Sequence, residues 1–144
     1  MSESDAVGGW PTTAFISYAQ NHEDVSLKRA LASAEPGFYF DVGAYPPVEG
    51  PVTTTFHDRG WSGINVEPGS VFKDLAAERT SDVNLKMAVL RRDGEIPFAE
   101  SAVDRGMSRV VVDGAPLVSD AEVCDTLEGI VGAHGRGRQV DFLR

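Results

Sequence analysis

The sequence predicts an α/β fold built on a parallel sheet, and three observations carry that prediction. Strand-like runs at residues 38–42, 61–67, 84–90 and 140–144 alternate with helical patterns. Such alternation argues for right-handed crossovers with helices on the faces of the sheet. Two of the runs, F-Y-F-D-V-G-A and G-I-N-V-E, close on the carboxylates Asp41 and Glu67, which stand 26 positions apart. A second acid about 20 to 30 residues on, at the tip of the neighbouring strand, is placed to accept hydrogen bonds from ribose hydroxyls, as in dinucleotide-binding folds. At 144 residues the chain has the length of one domain, enough for a sheet with a core on both faces.

The elements follow in order. Residues 1–14 carry Gly8-Gly9, Pro11 and several acids without periodicity, the composition of a flexible leader. From Glu23 the apolar positions Val25, Leu27, Ala30, Leu31 and Ala34 fall on a helical stripe, which Glu35-Pro36-Gly37 ends. Strand one follows at once. Beyond the Pro46-Pro47 and Gly50-Pro51 loop, residues 53–59 form a short helix with Gly60 as C-cap, and residues 61–67 form strand two. Ser70 is the expected N-cap of a helix over residues 71–79, with Asp74 in its first turn. Residues 84–90 read as strand three and Arg91-Arg92-Asp93-Gly94 as a turn. An antiparallel pair is expected from residues 95–99 and 109–112 around a loop containing Gly106, with Pro97 confining its strand to an edge. Residues 120–127 look helical, with Val123 and Leu127 on one face, and residues 129–137 form a glycine-rich connector before the last strand.

Composition excludes several classes of function. With 13 basic against 22 acidic residues the formal net charge is −9, which repels phosphate backbones; basic residues gather only in short groups such as Arg136 and Arg138, so nucleic acid is not an expected partner. No apolar run approaches the roughly 18 residues of a transmembrane helix, and an acidic start is unlike a secretion signal, so a cytoplasmic protein is expected, away from membranes. The single cysteine, Cys124, has no Cys or His neighbour at metal-ligand spacing and reads as a buried thiol.

Two segments carry candidate chemistry. At Asp41-Val42-Gly43-Ala44 an acid and backbone donors could hold the amino and carboxyl groups of a methionine-like tail. A nicotinamide dinucleotide needs glycines at G-x-G-x-x-G spacing to seat its diphosphate, whereas this chain continues Gly43-Ala-Tyr-Pro-Pro-Val-Glu. A nucleoside cofactor without phosphate, S-adenosylmethionine, fits better than NAD. The second segment, S-Y-A-Q-N-H-E-D at residues 17–24, stands just before a helix, where Asn21 or Ser17 can cap and the acids sit in the first turn. His22 could serve as a general base, but no partner in the sequence orients it. No Ser-His-Asp elbow, phosphate loop or zinc-spaced cluster is present.

Three ordered blocks, F-I-S-Y-A-Q-N-H-E-D (residues 15–24), G-F-Y-F-D-V-G-A (37–44) and F-H-D-R-G-W-S-G-I-N-V-E-P (56–68), resemble the FkbM family of S-adenosylmethionine-dependent methyltransferases. The likeness runs from Phe15 to the end of the chain and thins across residues 95–135, where Gly106-Met107-Ser108 still resembles a family segment. The resemblance implies a class I methyltransferase (Rossmann-like) fold and methyl transfer to a hydroxyl, usually of a sugar or secondary metabolite. It implies cofactor-binding roles for Asp41, Gly43 and Ala44 in the loop after strand one, Glu67 and Pro68 after strand two, and Met87 and Ala88 on the third-strand segment. It also places Gln20, Glu23 and Asp24 in the family's leading polar motif, near the cofactor.

The chain departs from the family at Pro46, where a polar residue is expected, and at Pro51, where Ser is frequent; each Pro removes a backbone donor. In the family a strand like residues 140–144 runs on into Ile-Asp-Val-Glu-Gly and further elements. The resemblance therefore implies a domain truncated after the start of strand four, whose open sheet edge would take a partner or a second copy. The catalytic base is accordingly assigned to no residue of this stretch. A catalytically silent, cofactor-binding or partner-binding remnant is the alternative to an active methyltransferase.

Overall fold

The computed structural model describes residues 15–34, 36–44, 52–100, 109–110 and 121–144. The leader, the Pro46-Pro47 and Gly50-Pro51 loop, Gly106-Met107-Ser108, Val111, Val112 and Asp120 lie outside those residues.

The strand runs pair as their composition asks. Strands β1 (Phe38–Val42), β2 (Ser62–Val66), β3 (Val83–Leu85) and β8 (Phe142–Leu143) form a parallel sheet in the order β3-β2-β1-β8. Side chains alternate across it. On one face Tyr39 and Phe142 pack with Val52 and Phe56 of α2 (Val52–Asp58) and with Trp61, over Leu27 of α1 (Glu23–Ala30). On the other, Phe38, Phe40, Ile64 and Val66 pack with Ile130 of α4 (Leu127–His134). Helices therefore cover both faces, as a buried parallel sheet requires. The chain builds outward from β1 to β2 and β3, then returns to β1's other side as β8, so the order reverses at the β1/β8 pair. In open α/β sheets ligands bind beyond the strand tips at that reversal.

A second, mixed sheet runs β4-β7-β5-β6, from β4 (Ala88–Val89), β7 (Ala121–Asp125), β5 (Gly94–Ala99) and β6 (Arg109–Val110). Its small core is Ala88, Ile96 and Cys124, with Leu90 against them; the thiol is buried, as expected.

Five expectations are corrected. Strand three is two strands. The Met87 N–H donates to the Leu85 carbonyl at 3.1 Å, a tight turn that ends β3 beside β2 and starts β4 beside β7. The expected helix over residues 120–127 is strand β7, in which burial alternates from exposed Val123 to buried Cys124. The glycine-rich connector is helix α4, capped by the Thr126 hydroxyl accepting from Gly129 N–H at 3.0 Å. A Cβ at 129 would stand 2.6 Å from the Asp125 carboxylate, which would have to move aside. Strand β5, with Pro97, is internal rather than an edge; Pro97 is tolerated because described β6 pairing covers only Phe98 and Ala99. The helix caps also differ. His22, in the left-handed region at φ 60°, is the N-cap of α1, and Val71 rather than Ser70 precedes α3 (Phe72–Glu78). Gly60 ends α2 as expected, at φ 86° with its N–H on the His57 carbonyl.

Candidate functional site at the strand tips

At the end of β1 the chain turns through Gly43, whose φ of 69° is costly for any residue with a Cβ. The Gly43 and Ala44 N–H groups donate to the Val66 carbonyl, 2.9 and 3.3 Å away, and the Glu67 N–H donates to the Leu85 carbonyl. The tips of β1, β2 and β3 are thereby stitched into one rim. The two backbone donors that the sequence offered to a ligand are spent on this stitch.

Asp41 and Glu67 leave the rim in different states. Asp41 is fully buried: its Oδ2 accepts from the Thr53 hydroxyl at 2.7 Å, and its Oδ1 meets the Arg144 guanidinium at 3.1 Å. The parallel register explains this, because Tyr39 and Phe40 lie opposite Phe142 and Leu143, which brings Arg144 level with Asp41. Glu67 is 7 % exposed. Its Oε1 accepts from the Gly69 N–H at 2.7 Å, and its other oxygen takes no hydrogen bond from the described residues. Burial raises the Glu67 pKa, the Gly69 N–H opposes that, and the charges of Glu100 and Asp41 add to the rise. Glu100 reaches this rim from the end of β5, accepting from both the N–H and hydroxyl of Ser70.

The remaining predicted residues separate. Pro68 and Met87 are half-buried at the rim, Met87 against the α4-side core. Ala88 is buried inside the second sheet. Gln20 and Glu23 are exposed, and Glu23 closes on the N–H and side-chain amide of Asn21 at 3.1 Å each. Asp24 is buried and accepts from the Ser17 and Thr55 hydroxyls and the N–H groups of Tyr18, Ala19 and Val25. It fastens the lead-in segment to α1 and α2. Burial alone would raise its pKa, but the hydrogen bonds from Ser17, Thr55, Ala19 and Tyr18 outweigh that and hold it below the ordinary carboxylate range. Ser17 thus serves the segment through Asp24 rather than as the helix cap.

Behind the rim, on the α2 face, a buried polar network braces β1, β2 and β3. The Tyr39 hydroxyl donates to Asp82 at 2.5 Å and accepts from Arg79 at 2.9 Å, while Asn65 Nδ2 donates to Asp82 and Asn84. Burial, then the Asp82 charge, pushes the Tyr39 pKa well up, so the hydroxyl stays protonated. Asn65 Oδ1 is buried without a partner among the described residues.

Beside the β1/β8 reversal, a cleft of about 590 Å³ opens between α1, the start of α2 and the tip of β8. Asn21, Glu23, Ser26 and Arg144 line it, with the apolar Leu27, Ala30, Val52 and Leu143. Sequence reading found Glu23 but missed Arg144 and Thr53. The signal for both was available only once β8 was placed beside β1, since nothing in the local sequence of either marks a partner for Asp41.

No described helix is long and apolar enough to cross a membrane. No protein-family model matches this chain, and no curated protein or solved structure is significantly similar to it.

Proposed function

We propose that the chain is an S-adenosylmethionine-dependent methyltransferase acting on a small-molecule hydroxyl, of a sugar or secondary metabolite, in the cytoplasm, where a lone thiol such as Cys124 stays reduced. The observation that carries the reading is Glu67, a buried acid with one oxygen that takes no hydrogen bond from the described residues, at the second tip of a β3-β2-β1-β8 parallel sheet, beside the strand-order reversal. An acid so placed accepts from ribose hydroxyls. The rim lacks the repeated glycines that seat a diphosphate, which favours adenosine without phosphate over a dinucleotide. When bound, S-adenosylmethionine supplies an electrophilic methyl group. The role of this chain's residues is positioning: Glu67 holds the ribose, the Gly43 turn keeps the tips in register, and the Tyr39–Asp82–Arg79 network keeps the rim rigid, which is where catalysis of this kind gains most.

Isothermal titration of the folded chain with S-adenosylmethionine, S-adenosylhomocysteine and NAD tests the reading. Binding of the first two without the third is expected. A folded chain that binds neither adenosyl compound sinks it.

A further inference from the structure

The cleft beside Arg144 carries the inference, and it rests on the S-adenosylmethionine reading above. Asp41 was the sequence's candidate for gripping the amino-acid end of the cofactor, yet it is fully buried beneath Thr53 and Arg144, which it engages, whereas Glu23, held by Asn21, is exposed. The charge of Asp41 is delivered instead to the guanidinium. Arg144 spends one nitrogen on Asp41 and has no other side-chain partner among the described residues, so most of its five donors remain. Its side chain is about one-third exposed and lines the cleft. Glu23, Asn21 and Ser26 line the same cleft, with the apolar Leu27, Ala30, Val52 and Leu143.

The geometry points to this cleft as the seat of the α-amino acid end of the ligand, with Arg144 pairing the carboxylate, Glu23 pairing the ammonium, and Asp41 acting as the positioning residue that orients Arg144. A planar guanidinium already fixed at one nitrogen is suited to a carboxylate at the others. An apolar floor with one acid and one base is the complement of a zwitterion on a short aliphatic stem. The span also fits. Glu67 and Arg144 flank β1 on opposite sides, and neighbouring strands lie about 4.8 Å apart, so ribose and carboxylate contacts are separated by roughly 10 Å. A nucleoside carrying a chain of several bonds bridges that distance.

The test compares S-adenosylhomocysteine with 5′-methylthioadenosine, which keeps the nucleoside and thioether but lacks the amino acid. By isothermal titration, wild type is expected to bind the first at least tenfold more tightly. Arg144→Gln and Glu23→Gln should each weaken the first by about tenfold or more and change the second less than twofold, with Asp41→Asn between. Glu23 is exposed and its variant keeps an amide for Asn21, so it holds the test open if Arg144→Gln unfolds, as thermal melts would show. Equal affinity of wild type for the two ligands, or parallel losses in the variants, overturns this inference and leaves the nucleoside reading standing. Binding of neither ligand overturns both.

Discussion

Two buried carboxylates in this protein are shifted in opposite directions: Asp24, which the fold satisfies, downward, and Glu67, on which the proposed ligand site rests, upward. Asp24 is surrounded by five donors, which more than offset its burial. Its folded pKa is depressed, so the stability it contributes is present above its unfolded value near 3.9 and is lost as pH falls through the lower folded value. Asp24→Asn places an amide among donors and should cost about 1–3 kcal/mol at pH 7, with the difference from wild type closing below about pH 4; urea titrations at the two pH values measure this. Glu67 has a raised pKa, mainly from burial, and one donor. The sign reverses: folding favours its protonated form, so the charged form weakens the fold as pH rises through the folded value. Glu67→Gln keeps an acceptor for Gly69 and should stabilise the chain at pH 7 by about 0.5–2 kcal/mol, the usual gain from relaxing a functional site, with no gain at acid pH. It should also lose adenosyl-ligand binding. A variant that melts at or below wild type at pH 7 would show that Glu67 is held for the fold rather than for a ligand.

At the scale of elements, the parallel sheet was legible because β1 and β2 are apolar runs bounded by turn residues, and parallel strands covered on both faces leave that plain signature. The stretch from residue 95 to 137 was less so, for a physical reason. In A-E-V-C-D the spacing of Val123 and Leu127 suits a helix face, while the pairing that makes it a strand comes from β5 and β4, which lie far away in sequence. Tertiary pairing overrode local pattern. In L-E-G-I-V-G-A-H the glycines argued for a connector, but Gly129 sits inside the helix close to the Asp125 carboxylate, and the cap at Thr126 was readable all along. Glu67 was readable from its strand tip, whereas the engagement of Asp41 was not, since Arg144 lies 103 positions away. Thr126→Ala removes the hydroxyl that caps the Gly129 N–H at the start of α4 and should cost about 1 kcal/mol. Amide exchange across residues 127–134 should rise with it, because the helix carries two internal glycines and depends on its cap and on Ile130. Unchanged exchange would mean that packing of Ile130 alone fixes the helix.

For the whole molecule, the decisive join is between the last strand and the first. Strand β8 pairs with β1 alone among the described residues and exposes Leu143 at 54 %, so its backbone bonds have little shelter. What holds it is Phe142, buried among Phe56, Tyr39 and Trp61 with ring centroids 4.9, 5.8 and 5.9 Å away. Those rings belong to α2, β1 and the start of β2, so one side chain ties four segments and, through the next residue, sets Arg144 against Asp41. Truncating a buried Phe costs about 3–5 kcal/mol, a large share of the 5–15 kcal/mol by which domains are stable. Phe142→Ala should therefore lower the urea midpoint severely and release Arg144, whereas Phe142→Leu, which keeps most of the volume, should cost less than about 1.5 kcal/mol. If binding at the β1/β8 reversal depends on that join, Phe142→Leu should retain adenosyl-ligand affinity within a few fold, and Phe142→Ala, assayed below its melting range, should lose it along with the Arg144 contact. Full affinity in Phe142→Ala would place the ligand away from the reversal point and on β2 and β3 alone.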